Sequence, residues 1–244
     1  MKVPRSAVIW LGAAAAGVWA IGAATNVEKE PNVPPKNPSA NQFELQRLLG
    51  YVVELNDAQR AMFIATAKRE SNFSPLAHND SASERAASAK AAASDSMQAT
   101  VQWAVACGVP RSALDTGSWT MFQFLAPYIP RRAQQILGQT ARACNYANPT
   151  QTRRPFQIVA AMAHARALQG YTGFTAYPTV GNLMLGWGSP GRMGYLTKWA
   201  AKLDGYKANA AAAGLDPRLL DEPMPLLPDV SQLAGILARL EQVA

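Results

Sequence analysis

The sequence predicts a mainly α-helical domain that begins near residue 43. Apolar residues recur at three- and four-residue intervals from Phe43 onward, and residues 156–168 show the most regular helical pattern. No segment shows several turns of strict two-residue alternation, which is the pattern of a half-buried strand. With 49% apolar and 16% charged residues, the chain has enough apolar sequence to form a core and is not expected to be disordered throughout.

Helix-end signals support individual helices within this domain. Asn56 is a favourable N-cap, and Gln59 three residues later completes the pattern of a capping box. Pro155 and Gly170 bracket the helix of residues 156–168 in the order that favours a helix start and a helix end. The predicted helices cover residues 43–55, 58–70, 83–106, 122–137, 156–168, 180–185 and 193–203.

The N-terminus predicts export. Lys2 and Arg5 precede an uncharged apolar stretch at residues 7–24, which is typical of a signal peptide and is just long enough for a membrane anchor. Residues 1–25 are therefore expected to be either a cleaved signal or an uncleaved anchor. The Pro-rich residues 26–42 are expected to be a linker that holds the domain away from the membrane.

The C-terminal part and the two cysteines leave alternatives open. After a domain at residues 43–206, residues 207–244 are expected to form a tail whose amphipathic helix at residues 230–243 docks on the domain, contacts a partner or lies on a membrane. Cys107 and Cys144 fit either one disulfide in an oxidising compartment or two buried thiols. Their spacing lacks the close ligand pairs of a zinc site, and the sequence implies no metal or cofactor.

The charge distribution favours a polyanionic partner. The net charge is +7, and no Asp or Glu occurs between Asp115 and Asp204. Such a surface attracts nucleic acid, anionic lipid or the carboxylate-bearing cell wall, although a basic surface without a specific partner has the same composition. Because export would separate the domain from most nucleic acid, nucleic acid is not expected as the partner.

Glu70 is the candidate catalytic residue on physical grounds. It falls on the same face of its predicted helix as Phe63 and Ala67, so its carboxyl is expected to have apolar neighbours. It also lies in the last turn, where the helix dipole disfavours a negative charge. Both effects favour the protonated carboxyl that could protonate a glycosidic oxygen. The same residues also fit an exposed, inactive glutamate at a frayed helix end.

The sequence does not identify a second carboxylate. Glycosidases commonly pair an acid with another carboxylate that acts as base or nucleophile. A mechanism with one carboxylate and assistance from the substrate is preferred, because none of the candidates in the domain has a distinctive context. These candidates are Asp80, Glu84, Asp95 and Asp115.

One segment resembles a family signature. Glu70, Ser71, Phe73, Pro75 and Ala77 resemble the pattern E-S-x-F-x-P-x-A of lytic transglycosylases of the soluble, goose-lysozyme-like kind. The resemblance implies a lysozyme-like α fold that cleaves the β-1,4 bond between N-acetylmuramic acid and N-acetylglucosamine in peptidoglycan. Glu70 would act first as acid and then as base, and the product would carry a 1,6-anhydro sugar.

Three later segments agree with this family in order and spacing. Residues 121–127 resemble the family's G-L-M-Q-x-x-P loop, and residues 148–168 resemble its D-P-x-x-N turn with the buried helix that follows. Residues 185–192 resemble its A-Y-N-A-G-P-G-R loop. The resemblance thus spans residues 58–206. It implies that the substrate-binding residues include Ser71, Met121, Phe122 and Gln123.

The spacing after the signature departs from the family pattern. Gln123 lies farther from Glu70 than the family usually allows, so residues 79–113 are interpreted as an insertion. Gln98 is the alternative glutamine for the cleft. Thr120 stands where the family has glycine.

The last loop departs from the pattern as well. The family's Tyr-Asn pair, whose tyrosine touches the catalytic centre, falls on Gly186 and Trp187. Trp187, Tyr171 or Tyr177 is therefore expected to take the role of that tyrosine. Trp187 fits stacking on a sugar and a place in the core equally well.

The sequence supports three interpretations of function. The preferred one is a lytic transglycosylase acting on peptidoglycan strands in the periplasm or cell envelope. The second is a lysozyme-type hydrolase with Asp80 or Asp115 as helper, and the third is a non-catalytic wall-binding or assembly module. Three biological settings fit such a protein: wall turnover, an envelope-spanning secretion or conjugation machine, and a virion that breaches an envelope.

Overall fold

The computed structural model describes residues 39–244, and within this range the chain is mainly α-helical, as predicted. The helices are α1 (Ala40–Gly50), α2 (Asp57–Ser71), α3 (Ala82–Ala92), α4 (Asp95–Ala106), α5 (Tyr128–Leu137), α6 (Ala141–Cys144), α7 (Arg154–Leu168), α8 (Thr172–Ala176), α9 (Val180–Trp187), α10 (Ala200–Ala212) and α11 (Val230–Val243). The strands are β1 (His78–Asn79), β2 (Ser118–Trp119) and β3 (Phe124–Leu125).

The predicted signal or anchor at residues 1–25 lies outside the described residues, as do residues 26–38 of the predicted linker. The linker prediction is wrong for residues 40–42, which form the first turn of α1 because the Ser39 side chain caps this helix. Among residues 39–244, no helix is both long enough and apolar enough to cross a membrane.

Helix α7 forms the centre of the core. Every residue from Pro155 to Ala165 is buried, and helices α1, α5, α9 and α11 pack around it. A helix that is apolar on all sides is stable only when neighbours cover all of its faces. The short side chains of Ala160, Ala161 and Ala163, all 1% exposed or less, allow those neighbours to approach closely. Pro155 lies in its first turn, as predicted.

Helix α2 begins and ends at residues that the sequence identifies. The Asn56 side chain accepts a hydrogen bond from the Gln59 backbone at 2.8 Å, and the Gln59 side chain accepts one from the Asn56 backbone at 2.9 Å, which confirms the predicted capping box. At the other end Asn72 adopts the left-handed conformation, with φ of 51°. Helices α9 and α10 pack on α2, so the end of α2 is held by the core.

The C-terminal residues belong to the same core. Helix α10 runs through residue 206 to Ala212. Helix α11 then packs on α5 and α7 with an apolar face that is at most 1% exposed and consists of Leu233, Ile236, Leu237 and Leu240. Of the three alternatives for the amphipathic segment, the structure shows docking on the domain.

Residues 79–113 form a small second core. Helices α3 and α4 pack on a short 3₁₀ turn at Arg111–Asp115, around Ala92, Val101, Ala104, Val109 and Leu114. A disulfide between Cys107 and Cys144 joins the end of α4 to α6, which settles the alternative that the sequence left open.

The structure corrects several helix bounds. The single helix predicted at residues 83–106 is divided at Ser94, whose hydroxyl donates to the Ala91 carbonyl at 2.7 Å and precedes the first residue of α4. The helix predicted at residues 122–137 begins only at Tyr128, after Pro127, because the preceding residues form strands. The first helix ends at Gly50 instead of residue 55.

The helix predicted at residues 193–203 begins only at Ala200. Its first part follows a 3₁₀ turn at Pro190–Arg192, and the chain turns again at Gly194, which has a φ of 85°. The Gly194 amide donates to the buried Asn182 side chain at 2.9 Å. Side-chain hydrogen bonding from α9 therefore holds these residues in turns.

A three-stranded antiparallel sheet, absent from the prediction, links the motif segment to the hairpin of β2 and β3. His78 pairs with Trp119, and Trp119 pairs with Phe124. The His78 and Trp119 rings stack with their centroids 3.8 Å apart. Gly117 is required here, because a Cβ at this position would lie 2.1 Å from the Asn79 carbonyl oxygen.

Candidate active site

Glu70 lies at the edge of the buried face of α2. Phe63 and Ala67, its neighbours on that face, are fully buried, whereas the Glu70 side chain is 19% exposed. The carboxyl therefore reaches the surface from a helix that the core holds in place. A fixed carboxyl that solvent and ligands can reach is suited to proton transfer.

Besides the apolar neighbours predicted on its helix face, Glu70 has a charged neighbour that the sequence pattern did not predict. Arg69 Nη1 donates to Glu70 Oε1 at 2.5 Å, and the two side chains form an ion pair. The Arg69 guanidinium in turn lies over the Tyr206 ring, 4.5 Å from its centroid. Adjacent residues in a helix do not usually face each other, so the sequence pattern gave no sign of this pair.

Tyr206 contacts Arg69, the residue that pairs with the candidate acid. Its ring is 2% exposed, and its buried hydroxyl has no hydrogen-bond partner among the described residues. Burial raises the pKa of Tyr206 to about 12, the positive charge of Arg69 opposes this, and the negative charge of Glu70 adds to it. Sequence reasoning named Tyr171 and Tyr177 instead. Tyr171 is half-buried against the core and Tyr177 is 49% exposed, at the two ends of α8.

Glu84 is the second carboxyl in the electrostatic environment of Glu70. It lies in the first turn of α3 and is half-buried. Burial raises the pKa of Glu84, the Ser118 hydroxyl lowers it, and the negative charge of Glu70 raises it further. The other candidates differ, since Asp80 and Asp95 are exposed and Asp115 pairs with Arg111 at 2.7 Å.

Ser71 and Gln123 tie the motif segment to the hairpin. Ser71 Oγ donates to the Met121 carbonyl at 2.9 Å. Gln123, with a φ of 52°, donates from Nε2 to the carbonyls of Thr120 at 2.9 Å and Ala77 at 3.3 Å. Its Oε1 accepts a hydrogen bond from Ser118 at 3.0 Å. Since Ser118 also lies beside Glu84, Gln123 adjoins the candidate site, whereas the alternative Gln98 is exposed on α4.

Three predicted substrate contacts are core residues in this structure. Met121 and Phe122 are fully buried and Trp187 is 3% exposed. The Trp187 ring packs against Phe122 and Phe124, and its indole N–H donates to the Phe122 carbonyl at 3.3 Å. The prediction that the Met121 and Phe122 side chains bind substrate is wrong, because the core covers them. For Trp187, which fitted either sugar stacking or a place in the core, the structure shows the place in the core.

Two further cations, Arg192 and Lys202, belong to the electrostatic surroundings of the Arg69–Glu70 pair. Arg192 is 8% exposed, and its guanidinium lies 5.2 Å from the centre of the Trp199 ring. Burial, together with the positive charges of Arg69 and Arg192, lowers the pKa of Lys202 to about 8, while Glu70 opposes this shift. The sequence showed that the region is basic but not that these cations converge on the candidate acid.

Two surface cavities lie elsewhere on the molecule. One, of about 810 Å³, adjoins the Cys107–Cys144 disulfide, and the other, of about 650 Å³, adjoins Leu76 and Arg154. Glu70, Glu84 and Lys202 line neither of them. Within residues 39–244, no group of three or more His, Cys, Asp or Glu side chains is arranged to bind a metal ion.

No protein-family model, curated protein or solved structure matches the chain. The interpretation of the site therefore depends on the motif residues and on the groups gathered around Glu70.

Proposed function

We propose that this protein is an exported lytic transglycosylase that cleaves peptidoglycan strands between N-acetylmuramic acid and N-acetylglucosamine. The observation that carries the proposal is the position of Glu70, a partly exposed carboxyl at the end of a rigid, buried helix and within the signature segment. Ser71, the next residue, is bonded to the hairpin that contains Gln123, so the two segments that resemble family motifs adjoin each other.

The chemistry assigned to Glu70 has two steps. Its protonated carboxyl gives a proton to the oxygen that leaves with N-acetylglucosamine, while the glycosidic bond at C1 of the muramic acid breaks. The resulting carboxylate then takes the proton of the C6 hydroxyl, whose oxygen bonds to C1 and closes the 1,6-anhydro ring. The hydrogen bond from Arg69 to Glu70 Oε1 orients the carboxyl for both steps.

A second candidate function is hydrolysis of the same bond, and Glu84 favours it. Burial and the negative charge of Glu70 raise the pKa of Glu84, and glycosidases use a carboxyl with a raised pKa together with a second carboxyl. In this case the acceptor is a water molecule, which a carboxylate activates, and the product has a reducing end.

Mass spectrometry of fragments released from purified peptidoglycan distinguishes the two reactions. The full chain and its Glu84→Gln variant are compared, with the exposed Glu222→Gln as the control for loss of one negative charge. Anhydro-muropeptides that persist in Glu84→Gln are the result expected of a transglycosylase. Reducing-end products that disappear in Glu84→Gln would indicate the hydrolase. Binding to peptidoglycan with no release by the folded wild type would indicate a non-catalytic wall-binding module and contradict both.

A further inference from the structure

Arg192 is a buried cation that forms no ion pair with the described residues. It is 8% exposed, and among the described residues no carboxylate lies within ion-pair distance of its guanidinium. The Trp199 ring, 5.2 Å away, offers only a cation–π contact. Burial of a charge is costly unless it is paired, so an arginine held in this state is poised for an anionic ligand.

The loop that carries Arg192 is held rigidly. Met193, the next residue, packs closely against Gly173 and Gly186. A Cβ on Gly173 would lie 2.5 Å from the Met193 carbonyl oxygen, and a Cβ on Gly186 would lie 2.5 Å from the Met193 sulfur. The hydrogen bond from the Gly194 amide to Asn182 fixes the following turn. A cation held in place before binding loses little entropy when a ligand arrives.

Lys202 completes a cationic pair beside the candidate acid. It is half-buried on α10, one turn after Trp199, whose ring Arg192 contacts, and one turn before Tyr206, whose ring Arg69 contacts. The positive charges of Arg69 and Arg192 lower the pKa of Lys202. Among the described residues, the ion pair between Arg69 and Glu70 is the only one that these groups form. Arg192 and Lys202 therefore retain an unbalanced positive charge next to Glu70.

We propose that Arg192 and Lys202 bind a carboxylate carried by the muramic acid unit of the glycan. A guanidinium and an ammonium at neighbouring positions are suited to a carboxylate, and a carboxylate attached to the sugar would place its glycosidic bond relative to Glu70. This inference rests on the proposed function. Two sources of the carboxylate share this chemistry, namely the lactyl group of peptide-free strands and the stem peptide of peptide-bearing strands.

Equilibrium binding of soluble tetrasaccharides tests the inference without turnover. The full chain carrying Glu70→Gln is titrated with a peptide-free muramic acid tetrasaccharide, with its peptide-bearing form, and with chitotetraose, which has no carboxylate. Arg192→Gln and Lys202→Gln are each combined with Glu70→Gln in a separate variant, and the same titrations are repeated. Lys207→Gln, on the same helix α10, is the control for loss of one positive charge.

The inference predicts that at least one muramic acid ligand binds about 10-fold or more tightly than chitotetraose, as expected for a charge-assisted hydrogen bond. Arg192→Gln and Lys202→Gln should each remove most of that difference and leave chitotetraose affinity unchanged, while Lys207→Gln has no effect. Preference for the peptide-free or the peptide-bearing form identifies the lactyl or the stem-peptide carboxylate, respectively.

Two results would overturn the inference. One is equal affinity for all three ligands, and the other is a carboxylate preference that persists in both the Arg192→Gln and Lys202→Gln proteins. If the Arg192→Gln protein does not fold, the ligand affinities of the Lys202→Gln protein alone test the inference. If the Glu70→Gln protein binds the carboxylate ligands selectively but the wild type cleaves no peptidoglycan, the proposed activity is refuted and the binding site is still supported.

Discussion

The Ser71 hydroxyl donates a hydrogen bond to the Met121 carbonyl at 2.9 Å. Ser71 is the last residue of α2 and directly follows Glu70, whereas Met121 lies in the turn between β2 and β3. This hydrogen bond therefore helps to hold the candidate acid near the hairpin of Ser118 and Gln123, together with the pairing of β1 with β2.

Replacement of Ser71 by alanine should lower the free energy of unfolding by about 1 kcal/mol, because the Met121 carbonyl loses its donor. Urea denaturation of the wild type and of Ser71→Ala measures this change. Ser231→Ala, at an exposed position in the first turn of α11, should be nearly neutral. Equal effects of the two substitutions would show that the hydrogen bond does not stabilise the hairpin.

Two glycine substitutions should have opposite effects. Gly173→Ala should destabilise the protein by about 1–3 kcal/mol, because its Cβ would lie 2.5 Å from backbone oxygen of Met193. Gly205→Ala should stabilise it by up to about 1 kcal/mol, since position 205 lies within α10 with no atom within 4 Å of the added methyl. Thermal unfolding of both variants tests the packing of the Met193 loop, and a tolerated Gly173→Ala would argue against it.

Loss of the Cys107–Cys144 disulfide should reduce stability by about 2–4 kcal/mol, because the two cysteines are 37 residues apart and the cross-link restricts the unfolded chain. Urea denaturation of the wild type with and without dithiothreitol measures the loss. The Cys107→Ser, Cys144→Ser double variant is the control and should not respond to the reductant. A wild-type midpoint that is unchanged by reduction would contradict the prediction.

Acid should destabilise the fold through His164. Burial and the positive charge of Arg132 lower the pKa of His164 to about 3, against an ordinary value of 6.5, while a hydrogen bond with the Trp187 backbone opposes the shift. Between these two values the unfolded chain binds a proton at this position and the folded chain does not. Stability should therefore fall as the pH drops below 6.5, by about 1.4 kcal/mol per pH unit from this group.

This expectation is tested by plotting the free energy of unfolding against pH for the wild type and for His164→Gln and comparing the two slopes. Unfolding free energies are measured by urea denaturation between pH 5 and pH 7.5. The wild type should lose about 2 kcal/mol more than the variant between pH 6.5 and pH 5. Parallel pH profiles would show that His164 can be protonated in the folded protein.

Local sequence signals identified the parts of the fold that local interactions determine. The capping box of Asn56 and Gln59 fixed the start of α2, and Pro155 with Gly170 fixed the limits of α7 to within a few residues. The amphipathic pattern of residues 230–243 matched α11, although its partner surface was left open. These features depend on neighbours within one helix, and the sequence displays them directly.

Contacts between distant segments were not predictable in the same way. Strands of two residues are too short for an alternating pattern, so the pairing of His78 with Trp119 left no trace in the sequence. Burial of Trp187 depends on Phe122 and Phe124 from the hairpin. The aromatic residue itself was consistent with either a core or a surface role.

In the candidate site, too, the sequence predicted local features but not contacts between distant segments. Glu70 was identified from its helix position and motif, whereas its neighbours Glu84, Lys202 and Tyr206 come from other helices and converge only in the folded chain. Glu84 was one of four acids that the sequence could not rank. Tyr206 was not considered, because no motif points to it.

The most direct test of the proposed activity is the release of muropeptides from purified peptidoglycan by the wild type and by Glu70→Gln. Glutamine keeps the size of the side chain but neither gives nor accepts the required proton. Release should therefore fall at least about 100-fold, while the circular dichroism spectrum and binding to peptidoglycan are retained and Glu222→Gln keeps full activity. Release by Glu70→Gln at the wild-type rate would show that Glu70 is not the catalytic acid.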